Sequence, residues 1–265
     1  MTLLQIAVLA IIQGLTEFLP VSSSAHLILV SRLADWPDQG IVLDVAVHLG
    51  TLIAVVFYFR DELFGMVQAW REPPDDPVTR QRRRVGLGLL IGSVPVVVAG
   101  ALLYDTVAGA FRDVRVIAWA TLFFGAVLLL ADRLSPRYRD LRELRVSHAL
   151  WIGLAQALAL IPGTSRSGAT LTMGRLLGFT PDAAARFSFL LSIPVIAAAG
   201  LRGIWTLALD GDGLAWSQFL VAVAFAAVAG WLCIAAFLAL LARLGLMPFI
   251  LYRLALGLVL LGISL

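Results

Sequence analysis

Apolar residues run along this chain in long blocks, and the polar residues are confined to short gaps between them. A soluble helix would show one apolar stripe of 3.6-residue period instead. Six blocks are long enough to cross a bilayer: 43–60, 85–106, 114–131, 183–202, 216–241 and 247–265. Two further pairs are shorter. Residues 3–19 and 21–34 part at Pro20, and 148–161 and 167–178 part at Pro162-Gly163. Proline removes a helical donor and clashes with the preceding turn, while Gly163 lets the chain reverse, so each pair predicts a re-entrant helical hairpin. Non-helical backbone at membrane depth survives only against protein or a wet cavity, so the two breaks predict a polar cavity.

Read in order, the blocks give hairpin plus three spans, then hairpin plus three spans. An odd number of crossings per half makes the halves inverted. The expected fold is therefore an all-α polytopic membrane protein with an inverted-topology repeat. Each half is a re-entrant hairpin plus three transmembrane helices, within one membrane domain, 1–265. Repeat one covers about 1–131 and repeat two about 148–265, joined by an arginine-rich cytoplasmic loop. Gln13 echoes Gln156, Pro20 echoes Pro162 and Ser23 echoes Ser165. Inverted repeats with broken helices place their binding sites at the midplane between the halves, where these two segments would meet.

Composition agrees: 60% of the 265 residues are hydrophobic and only 14% are charged, with a mean hydropathy of +0.94. An ordinary soluble domain is excluded. The net charge of +3 does not indicate nucleic acid, because the arginines sit in short loops between spans, as orientation signals do. Arg60, Arg80, Arg82, Arg83 and Arg84 in one loop and Arg133, Arg137, Arg139, Arg142 and Arg145 in another fall on one side, which is then cytoplasmic. The opposite loops carry Asp35, Asp38, Asp105, Asp113, Asp210 and Asp212. The first hairpin enters from outside and the second from the cytoplasm. The N-terminus lacks the basic flank of a cleaved signal and is expected to be retained. Cys233 is alone, so there is no disulfide framework. A homodimer is left open.

The chemistry lies in the hairpin breaks. Ionisable groups at membrane depth are functional by default. Gln13 and Glu17, four apart on one helix face, suit a metal ion or water held between two oxygens; the alternative for Glu17 is structural pairing with an arginine. Ser22, Ser23 and Ser24 cap the helical piece after Pro20, and Gly163, Thr164 and Ser165 do the same after Pro162. Two half-helix N-termini can thus converge on one anion. Arg166 adds a fixed cation shaped for bidentate phosphate contact. His26 lies three positions after Ser23 and is either the base beside a nucleophilic hydroxyl or a ring satisfying backbone groups. Asp44 and His48 are read as interfacial or supporting residues, and His148 as solvated. Ser167 and Thr170 either donate to a phosphate oxygen or bond back to the helix. Arg253 is placed at the cytoplasmic interface by snorkelling and receives no role.

Over its whole length the chain resembles the bacterial undecaprenyl-diphosphate phosphatases, the membrane-integral type linked to bacitracin resistance. The carriers are the (Glu/Gln)-X-X-X-Glu pattern from Gln13 to Glu17, the following Phe-Leu-Pro-Val-Ser-Ser with His26, and the Pro-Gly-X-Ser-Arg-Ser-X-X-Thr pattern from Pro162 to Thr170. Where many members carry Glu, this chain has Gln13. The resemblance implies removal of the terminal phosphate from undecaprenyl diphosphate. That leaves undecaprenyl phosphate, the lipid carrier for cell-wall synthesis, and confers bacitracin resistance. It also implies a divalent cation such as Mg2+ or Ca2+, an inner-membrane location and a site facing the periplasm. The expected machinery is Ser23 as nucleophile with His26 as base, Glu17 and Gln13 on the metal, Arg166 on the phosphates, and Ser22, Gly163, Thr164, Ser165, Ser167 and Thr170 around the headgroup. His26 as the nucleophile itself, or Glu17 activating a water directly, are the alternatives. The competing class is a secondary transporter or flippase for a polyprenyl phosphate lipid.

Overall fold

The computed structural model describes residues 1–36, 40–110, 113–210 and 215–264, without the side chains of 41, 104–110 and 206–210. Asp38 and Asp212, and the side chains of Asp105 and Asp210, therefore lie outside the described residues. What is described is helical, apart from an isolated bridge between Arg139 and Phe179. The eleven α-helices are α1 (Leu3–Glu17), α2 (Ser23–Leu33), α3 (Gly40–Tyr58), α4 (Arg60–Ala69), α5 (Pro77–Ala110), α6 (Val114–Leu134), α7 (Val146–Ala157), α8 (Arg166–Leu176), α9 (Pro181–Asp210), α10 (Trp216–Leu244) and α11 (Met247–Ile263).

Both breaks fall where the prolines predict them. α1 starts in a capping box, with Thr2 and Gln5 bonding each other's backbone N–H, and it stops at Glu17, three residues before Pro20. α7 continues through a 3-10 turn, Leu158–Leu160, and stops before Pro162. Gly163 is tied to its place twice: its φ is +92°, and a Cβ there would collide with the Ile117 carbonyl.

The span count is revised. Four helices are long and apolar enough to cross a bilayer, within Pro77–Leu103, Val114–Leu134, Pro181–Trp205 and Trp216–Leu244. A fifth arises if Val42–Tyr58 and Arg60–Ala69 are one span; they are bent by 69° at Phe59, where the polar run Arg60-Asp61-Glu62 begins. The sixth predicted span forms as α11, but its 17 residues reach only about 25 Å at 1.5 Å per residue, short of a hydrocarbon core of about 30 Å. Large apolar side chains such as Leu90, Leu102, Trp119, Phe123, Leu220 and Leu258 point outward. So wide an exposed apolar surface marks a lipid-facing exterior, and the protein is a polytopic membrane protein.

Inside, α1 and α3 pack on α10, α7 on α5, α3 on α9, α6 on α11, and α8 against α6, α7 and α9. The core beneath the hairpins is aromatic: Phe189 lies 5.5 Å from Phe18, 6.4 Å from Phe59 and 5.6 Å from Phe237, ring centre to ring centre. Phe18 adjoins Glu17, so this cluster is the floor on which the first break rests. The two arginine-rich connections share one end of the molecule: the turn Leu141–Glu143 touches α5 and α9, and Arg186 of α9 meets Glu62 of α4 at 3.6 Å. At that end the fully buried Arg175 of α8 pairs with Asp132 of α6 at 2.9 Å and also donates to the carbonyls of Ser135 and Pro136.

Candidate active site

The two breaks meet. Ser24 Oγ accepts from the Gly163 N–H at 3.4 Å, and Ser167 Oγ donates to the Leu19 carbonyl at 2.7 Å. Each short helix begins after a serine forced into positive φ, Ser22 at 72° and Ser165 at 65°. Non-glycine residues rarely adopt this conformation, and it turns the first N–H groups of α2 and α8 into the break. Ser165 Oγ caps α8 by accepting from the Gly168 N–H at 3.2 Å. Ser22 makes no such cap; its hydroxyl lies 3.1 Å from that of Ser24. By geometry Ser22 is thus the partner of Ser165, one position from the Ser23 echo.

A single arginine ties the breaks together. Arg253 of α11 is fully buried. Its guanidinium donates to the carbonyls of Thr121 (3.0 Å), Pro20 (3.3 Å), Gly163 (3.1 Å) and Thr164 (2.6 Å). Pro20 belongs to the first break, Gly163 and Thr164 to the second. A side chain at Gly168 would strike this guanidinium, and one at Gly125 would press its stem. Two glycines therefore open the slot the arginine fills.

The reactive groups gather on Glu17. Its carboxylate is 8% exposed and its two oxygens face different partners. Oε1 accepts from Arg166 Nε at 3.4 Å and Nη2 at 3.3 Å, and Arg166 Nη1 is steadied by the Ser188 carbonyl at 3.2 Å. Oε2 accepts from Gln13 Nε2 at 2.9 Å and Ser23 Oγ at 3.2 Å, and lies 4.0 Å from His48 Nε2. Glu17, Ser23, His48 and Arg166 open on a cavity of about 360 Å³, with Gln13 fully buried behind them. Ser22, Ser23, Ser24, His48, Gln156, Gly163, Ser165, Arg166 and Glu17 form its polar side, and Val96, Ala159, Leu160, Val195, Ile196 and Ala199 its apolar side. Such a two-faced space matches an anionic headgroup on an apolar tail. Among the described residues no three His, Cys, Asp or Glu side chains come together as a metal site. The oxygen donors for a hard cation are Glu17 and Gln13 Oε1, a buried atom without a hydrogen-bond partner among the described residues.

The family model described as bacitracin resistance protein BacA matches residues 6–259. The chain belongs to the BacA family. Curated relatives of comparable length include the undecaprenyl-diphosphatase of Chromohalobacter salexigens, 51% identical over 259 residues and 97% of both chains. The undecaprenyl-diphosphatase 2 of Stutzerimonas stutzeri is 51% identical over 98% of both. The undecaprenyl-diphosphatase of Hahella chejuensis is 49% identical over 97% of this chain and 96% of its own.

Within this BacA-family chain, several residues stand elsewhere than their motif positions predict. His26 does not reach Ser23: its Nδ1–H donates to the Ser22 carbonyl at 2.8 Å, and its Nε2 faces the Tyr252 hydroxyl at 2.8 Å. Both ring nitrogens are thereby spent, and the carboxylate of Glu17 takes the place beside Ser23. Thr170 bonds back to the carbonyls of Arg166 (3.0 Å) and Ser167 (3.1 Å) and meets Ser188 Oγ at 2.6 Å, away from the cavity. Ser167 is spent on the Leu19 carbonyl. Thr164 is fully buried behind the break, its hydroxyl unpartnered among the described residues. His148 is buried, its ring 5.3 Å from that of Phe179 and its Nδ1 accepting from the Arg145 N–H. Arg253, placed at the interface by the sequence, is the buried brace described above.

Three residues were missed: His48, Ser24 and Gln156 all line the cavity. The Gln13–Gln156 echo is the one signal that pointed at the last. His26 now reads as a brace on the strained turn. Exchanging it for asparagine, which can still donate to the Ser22 carbonyl, is expected to keep severalfold more activity than exchange for alanine. Turnover of the two purified variants checks this, and equal rates would remove the bracing role.

Proposed function

We propose that this chain hydrolyses undecaprenyl diphosphate to undecaprenyl phosphate and phosphate in the cavity between the hairpin breaks. The observation that carries the reading is the convergence of Arg166, from one hairpin, and Ser23, from the other, on the two oxygens of one buried Glu17. In a membrane such a constellation is costly unless it works. The relatives are named undecaprenyl-diphosphatases, and the cavity's polar and apolar sides suit a diphosphate and the first units of a prenyl chain.

In this reading the headgroup is received by the Arg166 guanidinium and the first N–H groups of α2 and α8, donors set before the substrate arrives. Ser23 Oγ attacks the terminal phosphorus while its proton passes to Glu17 Oε2. The bond from that phosphorus to the bridging oxygen breaks, and undecaprenyl phosphate departs with the bridging oxygen. Glu17 gives that proton up to the departing undecaprenyl phosphate and is a carboxylate again. Water then attacks the phosphoserine, its proton passes to Glu17, and Glu17 returns it to Ser23 Oγ as the serine–phosphorus bond breaks and phosphate is released. Arg166 balances the charge that grows on the phosphoryl oxygens. Glu17 and Gln13 would hold a divalent cation, Mg2+ or Ca2+ in the first instance, which offsets phosphate charge when bound.

The same reading makes the fold an inverted repeat of about 1–131 and 148–265. It is supported by pairings that survive exchange of the halves: α1 on α10 mirrors α7 on α5, while α3 with α9 and α6 with α11 map onto themselves. The serines of positive φ before α2 and α8 are a second support. By the arginine rule the end carrying both basic connections is cytoplasmic in the inner membrane, and the site opens to the periplasm.

The test is phosphate release from a short-chain isoprenoid diphosphate by purified protein in detergent, with divalent cation and with chelator. Cation-dependent release that yields a phosphoserine at position 23 on rapid quenching is the expected result. Release unaffected by chelator removes the cation, and a phosphate trapped on another side chain removes Ser23 as nucleophile. Binding of the lipid without release would favour a transporter.

A further inference from the structure

His48 enters no step above, yet its ring is held as a ligand's ring is held. Its Nδ1–H donates to the Asp44 carbonyl at 2.7 Å, which fixes the tautomer and leaves the Nε2 lone pair aimed at Gln13 and Glu17. Metal-binding histidines are oriented in this way, through a backbone carbonyl on the far nitrogen.

The end of the Gln13 side chain lies between the two. Its Nε2 is 2.9 Å from Glu17 Oε2 and 3.2 Å from His48 Nε2, while those two atoms are 4.0 Å apart. Its Oε1 is buried and has no partner among the described residues. A half-turn of the carboxamide, which changes its shape hardly at all, exchanges the oxygen for the nitrogen. Three lone pairs then face one another: an amide oxygen, a carboxylate oxygen and an imidazole nitrogen. A point equidistant from three atoms at these separations lies about 2 Å from each, which is the bond length of a small divalent cation to oxygen or imidazole. Without a cation, Gln13 bridges the other two as a donor; with one, it turns and ligates. Either state satisfies the buried carboxylate.

We propose that His48 is the third ligand of a divalent cation held with Glu17 Oε2 and Gln13 Oε1, one nitrogen and two oxygens, with the remaining positions open to water or phosphate. Glu17 Oε1 stays with Arg166, and the second lone pair of Oε2 stays with Ser23 Oγ. The imidazole adds affinity for ions that accept nitrogen ligands, Zn2+ and Co2+ above all and Mn2+ more weakly, while the two oxygens keep the site open to the Mg2+ or Ca2+ of the reading above. The inference deepens the reading of this cavity as a diphosphate site, but its test needs no substrate, so the two fail separately.

The test uses Mn2+ as the probe, added without lipid substrate to the detergent-purified full chain, with binding read by electron spin resonance. Stoichiometric binding with spin-echo modulation from a directly coordinated 14N nucleus is expected, changing to the 15N pattern when histidine is 15N-labelled. The chain has three histidines; His26 has both nitrogens engaged and His148 sits against Phe179, so the signal belongs to His48. In His48→Gln the nitrogen modulation should vanish and Mn2+ affinity fall about tenfold, with Mg2+ affinity, from competition against Mn2+, changing less than about threefold. Absence of Mn2+ binding, binding without nitrogen modulation in the unaltered protein, or undiminished Mn2+ affinity in His48→Gln each overturns the proposal. The labelled-histidine spectrum needs no variant, so a poorly folding substitution does not remove the test.

Discussion

Glutamine in place of Glu17 lowers the turnover of an isoprenoid diphosphate by about a thousandfold, within the range of roughly 10²–10⁴ for losing a positioned proton acceptor. The substitution keeps the shape and, through its amide oxygen, the hydrogen bonds from Arg166, but the amide nitrogen that replaces Oε2 cannot take the proton from Ser23 Oγ, 3.2 Å away. At saturating divalent cation KM should not rise, because the variant also removes an anion from beside a polyanionic headgroup. Steady-state kinetics with monodisperse protein measure both quantities. A variant keeping more than a tenth of normal turnover would mean that Glu17 serves only to neutralise Arg166. Alanine is the poorer test, since a buried arginine left without its partner costs about 3–5 kcal/mol and folding would fail along with catalysis.

Methionine in place of Arg253 produces the largest loss of stability. The arginine satisfies four carbonyls where neither water nor another helix can. At about 1–3 kcal/mol for each buried group left unpaired, the loss is on the order of 4 kcal/mol or more, comparable with the whole stability of many proteins. A melting point in detergent lowered by roughly 10 °C or more, or failure to obtain folded protein, is expected. Lysine, with three donors in place of five, should fall between the two. A melting point unchanged in the methionine variant would show that the breaks hold themselves.

Much of this arrangement was legible in the sequence for a simple reason: proline and glycine act locally. Pro20 and Pro162-Gly163 stand between short helices, whereas Pro95 and Pro194 are carried inside α5 and α9, and the apolar blocks were countable, so both breaks and the middle of every longer helix fell where they were predicted. Glu17 and Arg166 were legible because charge inside apolar sequence is conspicuous. What failed was rotation about a helix axis. Spacing alone put His26 next to Ser23, but α2 is turned so that His26 meets Tyr252, more than two hundred residues on, and no local pattern carries that contact. The same blindness ran the other way for His48, which looked interfacial and faces the cavity. Arg253 was misread because the snorkelling rule assumes a lipid-facing stem, whereas Gly125 and Gly168, distant in sequence, had already cleared a place for it. Ser167 and Thr170 were balanced between phosphate and backbone, and backbone carbonyls won both.

The buried position of Arg253 also bears on how the chain is made. It sits in α11, which is synthesised after every one of its partners, and an arginine at the centre of a lone apolar helix disfavours insertion by roughly 2.5–3.5 kcal/mol. Its carbonyl partners belong to both hairpins and to α6, all synthesised earlier. α11 can therefore settle in the bilayer only against halves that have already found each other. A chain whose hairpins fail to meet is left with α11 unburied and the charge of Arg253 unsatisfied. Closure of the cavity between the breaks and stable insertion of α11 become a single event.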